Sequence, residues 1–176
     1  ENNWLDSDID KIVEEEELND RERELLENSS SRILEVIKRD GRLDRIAQDI
    51  AHHFPRRGFL GKGMVVSVDK YTAVKMYEKV QHYWGEEKKA LIKERNAAKT
   101  KEERDELTAR LDYMNKVEMA VIISEEADEV EKFKAQGLEI TVHRNKMNEI
   151  TPEGKDIEDR FKDKDEPLSL VFVCAM

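Results

Sequence analysis

The chain reads as an α/β protein built on a parallel sheet with helices on its faces, and three observations predict this. An apolar run, Met64 to Val68, is followed at once by a polar Asp-Lys-Tyr-Thr corner and then by apolar residues at helical spacing. A continuous apolar run suits a strand buried on both faces, and the periodic stretch after it suits an amphipathic helix. Further apolar runs then alternate with helical stripes, giving the order β-α-(αα)-β-α-β-α-β from residue 62 onward. Such alternation argues for parallel pairing with crossover helices.

Residues 1–30 come first and read as an acidic helical arm. Residues 1–28 hold twelve acids and three bases, a net of −9 out of −10 for the whole chain. Ile9, Ile12 and Val13 give the arm one weak apolar stripe. Asn28-Ser-Ser-Ser31 is a break and a helix cap. Residues 31–60 form a helical lead-in. One helix runs from Ile33 to Asp40-Gly41. The next carries Leu43, Ile46, Ala47, Ile50, Ala51 and Phe54, and Pro55 ends it. A glycine-rich basic connector, Arg56 to Gly63, leads into the first strand.

From Ala73 the stripe continues through Val74, Tyr77, Val80 and Trp84. Residues 86–116 are highly charged with few apolar positions. Thr100 followed by Glu103 is a capping box, which predicts a helical hairpin insertion projecting from the core. Met119 to Ser124 is a second buried strand. Ser124 is then expected to cap a helix that buries Ala127, Val130 and Phe133 and stops at Gly137. Leu138 to Val142 alternates and reads as a third strand, with His143 to Ile150 a polar loop. Thr151-Pro152 opens another helix through Ile157 and Phe161. Leu168 to Val173 is the last strand. The chain stops at that strand's end, so a fragment is expected.

Composition excludes several classes. No run of about 18 apolar residues exists, and none of the sequence reads as a membrane span or a signal peptide. The single cysteine, Cys174, cannot form an internal disulfide, which fits a reducing cytoplasmic compartment. Outside the arm the chain is nearly neutral, and no acid falls between Asp49 and Asp69. A local phosphate-binding face is therefore compatible with the net charge. There is no Gly-x-x-x-x-Gly-Lys-Ser/Thr loop, and Gly58-Phe-Leu-Gly-Lys-Gly63 precedes a strand instead of joining one to a helix. His52 and His53 are adjacent and point apart on a helix, so they do not chelate a metal together. No Ser-His-Asp arrangement with a nucleophile elbow appears.

In parallel α/β folds ligands lie at the carboxyl ends of the strands. The corner Ser67 to Thr72 is thus the first candidate site, with Asp69 as a plain helix N-cap the competing reading.

Several blocks resemble one family. Gly61-Lys-Gly-Met-Val-Val-Ser-Val-Asp-Lys-Tyr-Thr-Ala-Val-Lys-Met-Tyr77 looks like motif IV of the superfamily-two helicase motors of type I restriction enzymes. Val121-Ile-Ile-Ser-Glu-Glu-Ala-Asp-Glu129, Phe133-Lys-Ala-Gln-Gly-Leu138, Asp159-Arg-Phe-Lys-Asp163 and Leu170-Val-Phe-Val-Cys-Ala-Met176 follow in the family's order. The last looks like the start of motif V. The resemblance covers residues 31–176. It implies that 61–176 is an incomplete second RecA-like domain of the restriction (motor) subunit, an ATP-dependent translocase and endonuclease.

By that resemblance Ser67, Asp69, Lys70 and Thr72 touch the DNA backbone. His143 and Arg144 occupy a backbone-contacting loop, and Cys174 sits where relatives carry a threonine. Duplex DNA and the modification and specificity subunits are the implied partners. ATP and Mg²⁺ belong to the intact subunit; no catalytic residue, metal site or bound cofactor is expected in this chain. The alternatives are a motor of another superfamily-two system and a non-catalytic α/β interaction module.

Overall fold

The computed structural model describes residue 21 and residues 33–57 and 61–174. The expected arm lies outside these residues except for Arg21. The chain divides into two compact units, residues 1–44 and Arg45–Ala175. In the first, residues 33–37 are helical. A helix α1 (Asp40–His53) crosses the division. Its positions Ala47 and Ala51 are buried, as is Phe54 in the short 3-10 turn Phe54–Arg56 that follows, with Pro55 fixing the turn.

The second unit holds β1 (Gly63–Ser67), α2 (Lys70–Ala97), α3 (Lys101–Lys116), β2 (Glu118–Val121), α4 (Glu129–Ala135), α5 (Thr141–Met147), α6 (Ile157–Lys162) and β3 (Leu168–Cys174). The protein is mixed α/β with a three-stranded parallel sheet in the order β1-β3-β2. Strand β3, last in the chain, lies in the centre.

Register fixes which residues share a face. Gly63, Val65 and Ser67 pair with Leu170, Phe172 and Cys174, while Met119 and Val121 pair with Leu170 and Phe172. This face is covered by α2: the Tyr77 ring meets Phe172 edge-on at 5.6 Å, and Ala73, Val74, Val80 and Trp84 are buried. On the other face Ala120 and Val171 pack with Ile157, with Phe161 and Met147 against them. The β1-to-β2 connection and the β2-to-β3 connection travel in opposite directions across the sheet. With right-handed crossovers they must lie on opposite faces, as these two sets of contacts do.

Gly63 sets how closely the lead-in approaches the sheet. A Cβ placed there would stand 2.5 Å from Phe54 Cε2 and 3.1 Å from Leu170 Cδ1. The Phe54 ring lies 6.1 Å from Trp84, whose Nε1 donates to the Met114 carbonyl at 3.1 Å. That bond ties α2 to the end of α3.

Four expectations are corrected. Leu138–Val142 is not a strand: Leu138 and Ile140 are buried individually, Val142 is 68% exposed, and a helix begins at Thr141. Alternation over five residues was too short to distinguish a strand from two anchors leading into a helix. β1 is not buried on both faces, since Met64 and Val66 are exposed at the sheet edge. The helix expected from Ser124 starts at Glu129 after Asp128 at φ 56, which leaves Ala127 exposed. The helix expected from Thr151 starts only at Ile157, where the Asp156 carboxylate accepts from Asp159 N–H at 2.8 Å.

The hairpin forms as predicted, with the Thr100–Glu103 capping box complete. Its first arm is, however, the continuation of one 28-residue helix, and Leu91, Leu111 and Met114 are buried at its base. The projecting part is the tip alone. Gly137, at φ 71, ends α4 as expected; Leu138 N–H reaches Phe133 O at 2.9 Å and Gly137 N–H reaches Lys134 O at 2.9 Å.

The two edges of the sheet differ. Along β2, Lys146 Nζ donates to Met119 O at 2.9 Å, Arg144 Nη1 to Ile123 O at 3.1 Å, and Ile123 N–H points at Met147 Sδ at 3.4 Å. All three side chains come from α5, which seals that edge. Along β1, among the described residues, no side chain bonds to the outer backbone.

Candidate nucleic-acid interface

The carboxyl ends of the strands converge as parallel pairing requires. Ser67 and Cys174 are register partners at the ends of β1 and β3. The chain then turns through Val68 and Asp69 into α2. Asp69 is the N-cap: its carboxylate accepts the Thr72 N–H at 2.6 Å. The competing reading of Asp69 is therefore the one its geometry supports. Ser67 and Thr72 are buried, 7% and 5% exposed, so their hydroxyls lie beneath the rim. Cys174 is half-buried, and burial pushes its thiol pKa up, Lys70 working against this.

Lys70 is the group of the corner that reaches the rim. Its ammonium meets Glu126 Oε2 at 3.0 Å, and the other oxygen of Glu126 meets Lys132 Nζ at 3.2 Å. Burial would raise the Glu126 pKa, but the hydrogen bonds from Lys70 and Lys132 outweigh it and hold the carboxyl below its ordinary value. Beside this triad the Tyr71 ring packs on Phe133 at 4.7 Å, fixing the start of α2 against α4.

His143 and Arg144 do not lie in a loop; both belong to α5. His143 is buried with its ring edge-on to Tyr77 at 4.7 Å. Burial and the neighbouring Lys146 hold its pKa down, opposed by Glu139. Arg144 forms a two-pronged pair with Glu129, Nε–Oε1 2.9 Å and Nη2–Oε2 2.7 Å. It also donates to the carbonyls of Ile123 and Ser124. Its fork is spent on holding the segment after β2, and it stands behind the rim.

Glu126, Glu129 and Lys132 went unassigned in the sequence. Glu126 follows the cap expected at Ser124, where an acid is ordinary, and the spacing of six to Lys132 carries no helical signal.

This corner is a poor fit for the ATP and Mg²⁺ that the resemblance implies for an intact subunit. A triphosphate seeks free N–H donors at a helix start, and here the Asp69 carboxylate already occupies that of Thr72. Among the described residues no group of three or more His, Cys, Asp or Glu is arranged to hold a metal ion, and no helix is long and apolar enough to cross a membrane. No family model, curated protein or solved structure matches the chain.

Proposed function

We propose that this chain is motor-domain polypeptide of the restriction subunit of a type I restriction enzyme, a cytoplasmic machine that moves along duplex DNA before cutting it. Residues 61–176 would then be part of a RecA-like domain whose strand ends track the DNA backbone. The observation that carries the reading is the common carboxyl edge, where Ser67 and Cys174 pair in register and Lys70 stands at the rim of the next turn. A translocase must hold phosphates without reading bases, and a few cations with backbone groups at strand ends do this.

Of the residues the resemblance nominates, Lys70 is the direct contact. Asp69 caps α2, Ser67 and Thr72 pack the corner from below, and Arg144 with His143 supports it from α5. Nucleotide chemistry belongs to other parts of the enzyme.

The test is fluorescence anisotropy on unrelated 30-bp duplexes across a salt series. Wild type should bind them about equally, and Lys70→Ala should weaken all of them alike. The slope of log K against log salt should flatten by about 0.9 for the one lost contact. Absence of salt-dependent duplex binding by the wild type would refute the reading.

A further inference from the structure

We propose, resting on that reading, that Glu126 is a built-in competitor for phosphate. Its carboxylate holds the ammonium groups of Lys70 and Lys132 when no nucleic acid is present and releases them to a backbone phosphate. The two lysines come from different elements, α2 and α4, and meet on opposite oxygens of one carboxylate, at 3.0 and 3.2 Å. A phosphate offers the same two-oxygen, negatively charged face.

Glu126 is not a loose surface side chain that happens to find a lysine. The backbone two and three residues before it is held by Arg144 at the Ser124 and Ile123 carbonyls. Two residues after it the chain passes through Asp128 in the left-handed region, and Glu129 returns to Arg144. The segment thus presents its carboxylate from anchored backbone. At the same time the three side chains stay partly open to water: Lys70 is 20%, Glu126 29% and Lys132 48% exposed. Ion pairs so exposed change an equilibrium by only a few-fold, so a phosphate can displace the carboxylate. The cluster keeps the cations aligned while preventing them from gripping every anion tightly, which a moving contact requires.

The experiment compares wild type, Glu126→Gln, Glu125→Gln and the double variant Glu126→Gln/Lys70→Gln. Binding to one labelled 30-bp duplex is read by anisotropy at several salt concentrations, with thermal melting by circular dichroism. Glu125 is an exposed neighbour, so its variant makes the same change in net charge without touching the pair. Glu126→Gln should bind about three- to tenfold more tightly than wild type, with a slope steeper by about 0.9 for each lysine set free. Glu125→Gln should change binding less, and the double variant should lose the gain. If Glu126→Gln melts like wild type and binds no better than Glu125→Gln, while wild type binds DNA salt-dependently, the latch is overturned and the DNA reading stands. If no variant binds the duplex, the DNA reading itself falls and the latch with it.

Discussion

Replacing Arg144 with methionine separates a supporting role from a phosphate contact. Methionine keeps most of the stem and removes the guanidinium. The variant loses the two-pronged pair with Glu129 and the donors to Ile123 O and Ser124 O. The pair is largely enclosed, with side chains 15% and 9% exposed. Removing one partner of an enclosed pair strands the other, which costs about 3 to 5 kcal/mol. The lower end applies here because the segment lies near the rim. For a chain of this size about 3 kcal/mol lowers the melting temperature by roughly 6 to 12 °C.

Two internal checks accompany it. Hydrogen bonds from Arg144, opposed by burial, hold the Glu129 pKa below its ordinary value. In wild type this stabilisation is present above the unfolded carboxyl's pKa near 4.5 and is lost as pH falls through the lower folded value. The gap between variant and wild type should therefore be widest near pH 7 and narrow toward pH 4. Adding Glu129→Gln should recover part of the loss, so the double variant is less destabilised than the two single effects added. Thermal unfolding followed at 222 nm measures all of this. A variant that melts within about 2 °C of wild type at pH 7 but binds DNA more weakly would refute the argument and return Arg144 to the phosphates.

Two further outcomes follow from the packing. Gly63→Ala should cost about 1 to 3 kcal/mol, because the new Cβ meets the Phe54 ring and only backbone or ring movement relieves it; urea unfolding with an unchanged midpoint would contradict this. His143→Phe should remove an acid-side loss of stability. The folded imidazole resists its proton, so wild type weakens as pH falls below about 6.5, where the unfolded histidine takes one up. A wild-type melting temperature that stays flat between pH 7 and 5 would defeat it.

The three strands were legible because each is an apolar run longer than its neighbours permit in a loop. Expected at 64–68, 119–124 and 168–173, they form at Gly63–Ser67, Glu118–Val121 and Leu168–Cys174. The hairpin was legible from the Thr100–Glu103 cap, a local interaction within four residues. Helix α5 was not. Its inward positions run from Ile140, just before it, through buried His143 to partly buried Met147, a helical period only once a histidine counts as interior. The delayed start of α4 was hidden for a different reason. Ser124 and Glu126 are held by Arg144 and Lys70, residues 20 and 56 positions away. No local rule foresees such bonds, and they take the chain out of helical geometry. The corner's place at the strand ends followed from parallel topology. Which of its side chains reach the rim depended on burial, and the sequence carried no sign that Ser67 and Thr72 lie below it.

The contrast between the sheet's two borders makes this fold directional. Side chains of α5 occupy the border along β2, so a newcomer there would first have to displace Lys146, Arg144 and Met147. Among the described residues the border along β1 has no such obstruction, and Gly-Met-Val-Val-Ser carries no charge, proline or bulge of the kind that discourages pairing. Among the described residues, β1 is therefore the border open to an added strand. If such a strand arrives from β3 by a right-handed crossover, it travels the same way as the β2-to-β3 connection. Its helix then comes down on the face where Met64 and Val66 stand 56% and 61% exposed. Those two side chains mark the place where a second layer would be laid.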